Sequence, residues 1–301
     1  MKCSTPSMEN GYNIKVILLC LRMSFRKWFL SLRIPMLFLL IISFGYWTSG
    51  GVSSVAKIMG ERVAPWLLPH YFANPLMMTL FGFLVTFLFN DAPFYDNHTA
   101  FVLIRSGRKN WIVAQILYVI VAAFLNAVCW FLASILPVLG RVQFTSDWGK
   151  VLLSIASGQG QAIAAQHGVV LNFYVDANVC KVYSGLETTL LAFLLLWLVG
   201  AFLGFLIFAF NFFLKNNWGV IVSGFLSFLP VFSSFLLIYG GELGSKIFYV
   251  SPVGWCSLYS ISLDGKMGYP SLPYVFSVLM IGSLIMAFVL GRQFRKKDVL
   301  I

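Results

Sequence analysis

The side chains that most often carry out chemistry are sparse in this chain and are not grouped. Its three histidines, His70, His98 and His167, stand far apart, and its five cysteines include no Cys-x-x-Cys pair. The sequence contains no His-Glu-x-x-His, no Gly-x-Ser-x-Gly and no Gly-x-x-x-x-Gly-Lys-[Ser/Thr], the loop that cradles ATP phosphates. We therefore expect a protein that is not an enzyme, holds no cofactor or metal, and cannot itself bind ATP in a P-loop.

A basic stripe near the start is the first candidate functional group of residues. Lys15, Arg22, Arg26 and Arg33 stand at offsets 0, 7, 11 and 18, which at about 100° per residue place them on one side of a helix. The other positions of Asn13–Arg33 are mostly apolar. This pattern predicts an amphipathic helix in the membrane interface, with its cations toward lipid headgroups. A cytoplasmic extension of the first membrane span is the alternative.

A second candidate group lies in the connection 91–109, which combines apolar and charged side chains as protein interfaces do. We expect a short transverse helix there that presents an apolar knob inside a charged rim, an arrangement that gives a modest interface affinity and orientation. The knob is Phe94, Tyr95, Phe101 and Leu103, and the rim is Asp96, Arg105 and Arg108. The alternative is that these side chains face lipid or the following span.

Long apolar stretches must position both groups. The chain is 59% hydrophobic and 10% charged, whereas a soluble domain carries about a quarter charged residues. Six charge-free stretches each exceed the roughly 20 residues that a helix needs to cross hydrocarbon. They are Ile34–Ala56, Val63–Asn90, Asn110–Gly140, Thr188–Leu214, Asn216–Gly241 and Met267–Gly291. The sequence thus predicts an all-α polytopic membrane protein, with six transmembrane helices preceded by an N-terminal amphipathic interfacial helix.

The polar residues inside these stretches favour helix packing over ion coupling. No Asp or Glu lies within a stretch, since Asp91 and Glu187 stand at stretch ends. Transporters driven by protons or sodium usually carry such groups in the membrane. Gln115, Asn126 and Asn211 are the main polar residues there, and we expect them to make hydrogen bonds between helices. Any uphill transport would then draw its energy from another subunit.

The distribution of cations predicts the orientation. Of 21 Lys and Arg residues, fourteen fall on the side of the N-terminus and seven on the other, so both termini are expected in the cytoplasm. The basic balance then reflects orientation and lipid contact, and nucleic acid is not expected as a partner. Residues 1–33 form the cytoplasmic N-terminus, 34–291 the transmembrane domain and 292–301 a basic cytoplasmic tail.

The longer connections fall on the outside in this arrangement, at about 57–72, 141–187 and 241–272. The charge-free stretch Val151–Val175 carries Gln, His and Asn, which are costly in lipid. We expect it to belong to an extracytoplasmic subdomain with one amphipathic helix around Ala156–Ala165. Cys180 and Cys256 both fall outside, where a disulfide and two unpaired thiols are both open.

In its whole architecture the chain resembles a permease subunit of the ATP-binding-cassette type-2 exporter family. Four features in order carry the resemblance: the basic amphipathic segment before the first span, the acidic-then-basic connection from Asp91 to Trp111, Ser251-Pro252 before the last span, and the basic tail from Gly291 to Val299. The sequence departs from the family pattern in the connection, where Asp96 and Thr99 have no glycine between them, and in the long outside loop 141–187.

The resemblance implies that the connection 91–109 is a coupling loop that docks on a soluble P-loop ATPase, which would hold ATP and Mg²⁺. It implies a second permease copy, or a related permease, in a bacterial cell membrane. The expected function is ATP-driven export of an amphipathic or hydrophobic cargo such as a peptide, antibiotic or lipid. The alternatives are a non-transporting sensor or assembly factor in a peptide-resistance or signalling complex, and an ion-independent facilitator.

Overall fold

Helices account for almost all regular structure in this chain. The structure is a computed structural model that describes residues 11–94, 99–214, 217–239, 241–263 and 268–296. The helices are α1 Ile14–Leu30, α2 Arg33–Met59, α3 Leu68–Tyr71, α4 Pro75–Leu88, α5 Thr99–Ser106, α6 Arg108–Ile135, α7 Gly149–Ala156, α8 Gln159–Gln166, α9 Ala177–Val182, α10 Gly185–Leu214, α11 Trp218–Tyr239, α12 Glu242–Ile247 and α13 Leu272–Lys296. Short 3₁₀ helices occupy Leu136–Arg141, Val253–Cys256 and Leu258–Ser260.

Five of these helices, α2, α6, α10, α11 and α13, are long and apolar enough to cross a membrane. The shortest of them, α11, has 22 residues, which at 1.5 Å per residue is about 33 Å. No β-strand occurs in the described ranges, where pairing is limited to the isolated bridges Val63–Val142 and Ser262–Ser271. The prediction of an all-α, multi-pass membrane protein is confirmed at this level.

The second predicted span, Val63–Asn90, is wrong as a continuous helix. It contains the four-residue helix α3 and the 14-residue helix α4, and the length of α4, about 21 Å, is shorter than the hydrocarbon thickness. Pro65, Pro69 and Pro75 explain the break, because proline lacks the N–H donor and restricts the residue before it. Asn74 then caps α4 by accepting a hydrogen bond from the Leu76 amide at 2.9 Å.

The short helix α4 packs closely on α11 through small residues. A Cβ on Gly82 would lie 2.7 Å from Cβ of Ser227, so the two backbones approach each other more closely than side chains would allow. One turn further along, the hydroxyls of Thr86 and Ser223 share a hydrogen bond of 2.6 Å. Small residues and buried hydroxyls are the usual means of helix association in lipid, where apolar packing alone has no water to exclude.

Irregular segments fill the bundle beyond the start of α4, at what we call the Val63 end. They include α3, the 3₁₀ turn Val253–Cys256 and the extended segment 169–175. The buried aromatic side chains of Tyr71, Phe173 and Trp255 lie here. Trp255 donates its indole N–H to the Phe248 carbonyl at 2.6 Å. These segments are thus enclosed by the ends of the long helices and by one another.

His70 joins these segments in what we call the His70 cluster: His70, Trp148, Phe173 and Tyr259. Nδ1 of His70 lies 2.6 Å from the Tyr259 hydroxyl, which also accepts the backbone N–H of Asp176 at 3.1 Å. The rings of Trp148 and Phe173 pack around the imidazole, tilted and edge-on, with centroid distances of 4.8 and 6.1 Å. Burial lowers the pKa of His70 to about 3, because the interior disfavours the charged form.

The connection 141–187 contains three short helices where one was expected. The predicted helix around Ala156–Ala165 is divided, because α7 ends at Ala156 and α8 begins at Gln159. Gly158 lies between them with φ at 82°, a left-handed conformation that glycine adopts readily. Cys180 and Cys256 are free thiols, and burial raises the pKa of both.

We predict that acid destabilises the fold through His70. The unfolded state binds a proton near pH 6.5, whereas the folded state resists protonation down to about pH 3. The unfolded state therefore holds more protons in this window, and stability is complete above pH 6.5 and falls with decreasing pH by about 1.4 kcal/mol per unit. Thermal unfolding in detergent at pH 7.5 and pH 5 measures this loss.

The variant His70→Gln should be less stable at pH 7.5 but lose less on acidification than the wild type. The matched control is His167→Gln, since His167 is exposed at the end of α8, and this variant should respond to acid as the wild type does. Equal acid sensitivity of wild type and His70→Gln would contradict the role of His70.

Candidate docking surface

The first turns of α6 extend past the start of α2 at what we call the Arg33 end. Helices α2 and α6 run in the same direction, with Gly45 against Ala133 and a bridge from Val63 to Val142. The start of α2 lies beside Tyr118, since Arg33 and Tyr118 line one cleft. Because α6 begins at Arg108, its first ten residues reach about 15 Å past the start of α2.

Helix α1 packs on this extended part of α6 and does not lie apart from the bundle. Their contacts advance from Asn13 to Trp28 on α1 but only from Asn110 to Tyr118 on α6, so the two helices cross obliquely. Three hydrogen bonds mark the contact. The Asn13 amide donates to Asn110 Oδ1 at 3.0 Å, Gln115 Nε2 donates to Ser24 Oγ at 3.3 Å, and Trp28 Nε1 donates to the Tyr118 hydroxyl at 2.8 Å.

Three of the four cations predicted on α1 lie on it, and Arg33 does not. Lys15, Arg22 and Arg26 are exposed along α1. The helix ends at Leu30 and Ser31 is extended. Helical spacing counted from Lys15 therefore does not place Arg33 on the same side as the other three cations. Arg33 begins α2 and binds Asp91 through two hydrogen bonds of 2.7 and 2.5 Å, which join the start of α2 to the turn after α4.

Helix α5 presents an exposed face that mixes apolar and basic side chains. Phe101 and Ile104 are each 67% exposed, and Arg105 and Arg108 are exposed as well. Their spacing of three and four residues puts Phe101, Ile104 and Arg105 on one side of the helix, and Arg108 follows after Gly107. We call these four residues the α5 face.

The opposite side of α5 is held by the bundle. Leu103 packs on the hydrophobic core, so it is not part of an exposed knob. Ser106 donates its hydroxyl to the Val102 carbonyl at 2.7 Å and hydrogen-bonds the thiol of Cys20 on α1, whose pKa burial raises. Asn110 Nδ2 donates to the Ser106 carbonyl at 2.8 Å, so Asn110 joins the end of α5 to the start of α1.

Phe94, another member of the predicted knob, is only partly exposed. Its ring packs edge-on against Tyr118 and Phe208, with centroid distances of 5.0 and 5.6 Å. Tyr95 and Asp96 lie outside the residues that the structure describes. Ile104 is the exposed residue that the predicted set omitted, and its spacing of three from Phe101 is the signal that could have identified it.

The C-terminal ends of α10 and α13 and the start of α11 also lie at the Arg33 end. Phe294 near the end of α13 stacks on Trp111 at 4.9 Å with ring planes 21° apart, and Phe212 of α10 lies 5.9 Å from it. Asn211 donates to the Ala92 carbonyl at 2.8 Å and accepts from the Gly219 amide at 2.7 Å. One carboxamide thus joins α10 to the turn after α4 and to the start of α11.

The expectation of hydrogen bonds between helices is met by Gln115 and Asn211 but not by Asn126. Both polar atoms of the Asn126 side chain are buried without a partner among the described residues. The described ranges also hold no group of three His, Cys, Asp or Glu side chains that could bind a metal. The arrangement at the Arg33 end is suited to binding a protein or a lipid surface.

Comparisons with known proteins leave the family open. No protein-family profile matches the chain, and neither a curated protein nor a solved structure shows a significant match.

We predict that Asn110 holds α1 and α5 in place. The variant Asn110→Leu removes the hydrogen bonds to the Asn13 amide and the Ser106 carbonyl, and the loss of one such hydrogen bond costs about 0.5–1.5 kcal/mol. Hydrogen exchange of α1 and α5 should rise while that of α10 stays unchanged. The matched control on the same helix is Asn126→Leu, which removes an unpartnered amide and should be neutral or stabilising. Equal effects of the two variants would contradict this role of Asn110.

Proposed function

We propose that this chain is the membrane-spanning permease subunit of an ATP-driven exporter of the ATP-binding-cassette type-2 family. In this proposal the α5 face docks on a separate soluble P-loop ATPase, which holds ATP and Mg²⁺. The observation that supports docking is the α5 face itself: two exposed apolar side chains beside two arginines, next to the first turn of α6. Such a projecting surface suits a partner that binds from outside the membrane.

The proposed topology has six crossings and both termini in the cytoplasm of a bacterial cell. The starts of α2 and α6 and the ends of α4, α10 and α13 meet at the Arg33 end, through Arg33–Asp91, Asn211–Ala92 and Trp111–Phe294. This convergence is what an even number of crossings requires, with α4 as a short sixth crossing. The cargo would be amphipathic or hydrophobic, because within the described ranges the carboxylate that a long helix holds is Glu187, in the first turn of α10.

A second permease copy would pack on α11, which has an unpartnered aromatic seam. Trp218, Ile221, Phe225, Phe228, Phe232, Phe235 and Tyr239 are all exposed, and they alternate in steps of three and four residues. This is the spacing that lets one helix interlock with another over its whole length. We therefore propose that two α11 helices, one from each copy, form the dimer contact.

The docking proposal is tested by co-purification and substitution. The tagged wild-type chain, extracted in mild detergent, should bring down a protein whose sequence contains a P-loop. Phe101→Asp and Ile104→Asp should abolish this recovery without changing the melting temperature, because both side chains are exposed. Leu103→Asp should lower the melting temperature instead, because it places a carboxylate against the core.

The matched control for docking is Phe144→Asp, since Phe144 is 80% exposed and lies in the 141–187 connection. It should leave both recovery and stability unchanged. Recovery of no P-loop protein by the wild type, or full recovery by Phe101→Asp and Ile104→Asp, would contradict the proposal.

The seam is tested by cysteine cross-linking in membranes. A cysteine at Phe228, near the middle of the seam, should form a disulfide-linked dimer on oxidation. A cysteine at Ser227, whose side chain is buried against α4, should not. Cross-linking from Ser227 and none from Phe228 would rule out contact through this face.

A further inference from the structure

We propose that α1 carries a binding site for one anionic phospholipid. The site is a groove of about 530 Å³ lined by Leu19, Arg22, Met23, Phe25, Arg26 and Phe29, which we call the α1 groove. Four apolar side chains and two guanidinium groups line it, with no carboxylate among them. This combination suits a ligand that has both a negatively charged head and a hydrocarbon tail.

No carboxylate of the described residues neutralises the positive charge of the groove. Helix α1 contains no Asp or Glu, and within the described ranges Arg22 and Arg26 form no ion pair. They stand four residues apart and thus one above the other on the helix. Two guanidiniums at this spacing can donate several hydrogen bonds to the oxygens of one phosphate.

The apolar part of the groove continues toward the membrane. Phe29 is 90% exposed and Leu32 is 82% exposed, and Met36 and Leu40 of α2 follow at 63% and 41%. Leu32 stands at the N-terminal cap of α2, so Leu32, Met36 and Leu40, four residues apart, share one face at the start of the first long apolar helix. A lipid acyl chain would pack on this exposed aliphatic and aromatic surface and remove it from water.

The oblique packing of α1 on α6 gives the site its polarity. The groove residues Arg22 and Arg26 flank Ser24, which contacts Gln115, whereas Phe29 follows Trp28, which contacts Tyr118. Along α6 the arginines therefore lie farther from the membrane than Phe29. A phospholipid of the adjoining leaflet would place its phosphate at the arginines and its tail at Phe29 in one orientation.

The occupant is a membrane phospholipid and not free phosphate, because the larger part of the lining is apolar. A soluble anion would leave Leu19, Met23 and Phe29 uncovered. A zwitterionic phospholipid carries a compensating cation, which the two guanidiniums would disfavour. Anionic headgroups such as phosphatidylglycerol fit both parts of the groove.

The test measures lipid retained by the purified chain alone. The protein is reconstituted in nanodiscs of equal parts dioleoylphosphatidylglycerol and dioleoylphosphatidylcholine, extracted in mild detergent and examined by native mass spectrometry. The wild type should retain phosphatidylglycerol in preference. Each basic residue beside an anionic headgroup favours binding about fivefold, so the double variant Arg22→Gln, Arg26→Gln should bind it about thirtyfold more weakly. The matched control is Lys15→Gln, an exposed cation of α1 outside the groove, which should bind as the wild type does.

A second measurement uses only the wild type, so it tests the proposal even if the double variant does not fold. Added phosphatidylglycerol should raise the melting temperature in detergent, while phosphatidylcholine should not, and excess glycerol phosphate should not reverse the effect. Equal retention or stabilisation by the two lipids, wild-type retention by the double variant, or displacement by glycerol phosphate would each overturn the proposal. Because no ATPase takes part, failure here is distinct from failure of the docking proposal.

Discussion

The shortness of α4 is the constraint on which the rest of the bundle depends. A helix of 14 residues cannot fill a position that its neighbours occupy for 22 residues or more, so other parts of the chain must complete it. Segments from three separate connections do so at the Val63 end, and His70 and Tyr259 join two of them directly. In hydrocarbon every backbone polar group needs a partner, and in one of these segments the Asp176 amide finds it in the Tyr259 hydroxyl.

At the Arg33 end a helix is longer than its neighbour, whereas at the Val63 end α4 is too short. Helix α6 continues past the start of α2, and this overhang supports both α1 and α5. Asn110 stands where the three elements meet, with hydrogen bonds to Asn13 and to Ser106. The exposed α5 face is therefore fixed to a long helix that runs through the whole bundle, so a force on α5 would act on α6 directly.

The sequence predicted the long helices well and the short elements poorly, for identifiable reasons. Apolar composition reports that a segment avoids water, and it does not distinguish lipid from protein; Val63–Asn90 was apolar because Leu67, Leu68, Tyr71 and Phe72 are buried in the protein. The prolines in this segment were the available signal. The stripe that included Arg33 assumed a helix through Ser31 and Leu32. In α5, periodicity could place Ile104 beside Phe101, but which side faces the bundle depends on α6, a later part of the chain.

The packing of α1 on α6 also has a consequence in time. Asn13 and Asn110 are 97 residues apart in the chain, and synthesis adds about 5–20 residues per second. Helix α1 therefore exists for roughly 5–20 s before its acceptor on α6 has been made. During that interval Ile17 and Cys20, which are later buried in a cluster with Ala114 of α6, lack this contact. Helix α1 is apolar on nearly all sides apart from a few cations, so it can bind the membrane surface until α6 has been synthesised. Its composition therefore supports assembly as well as the final structure.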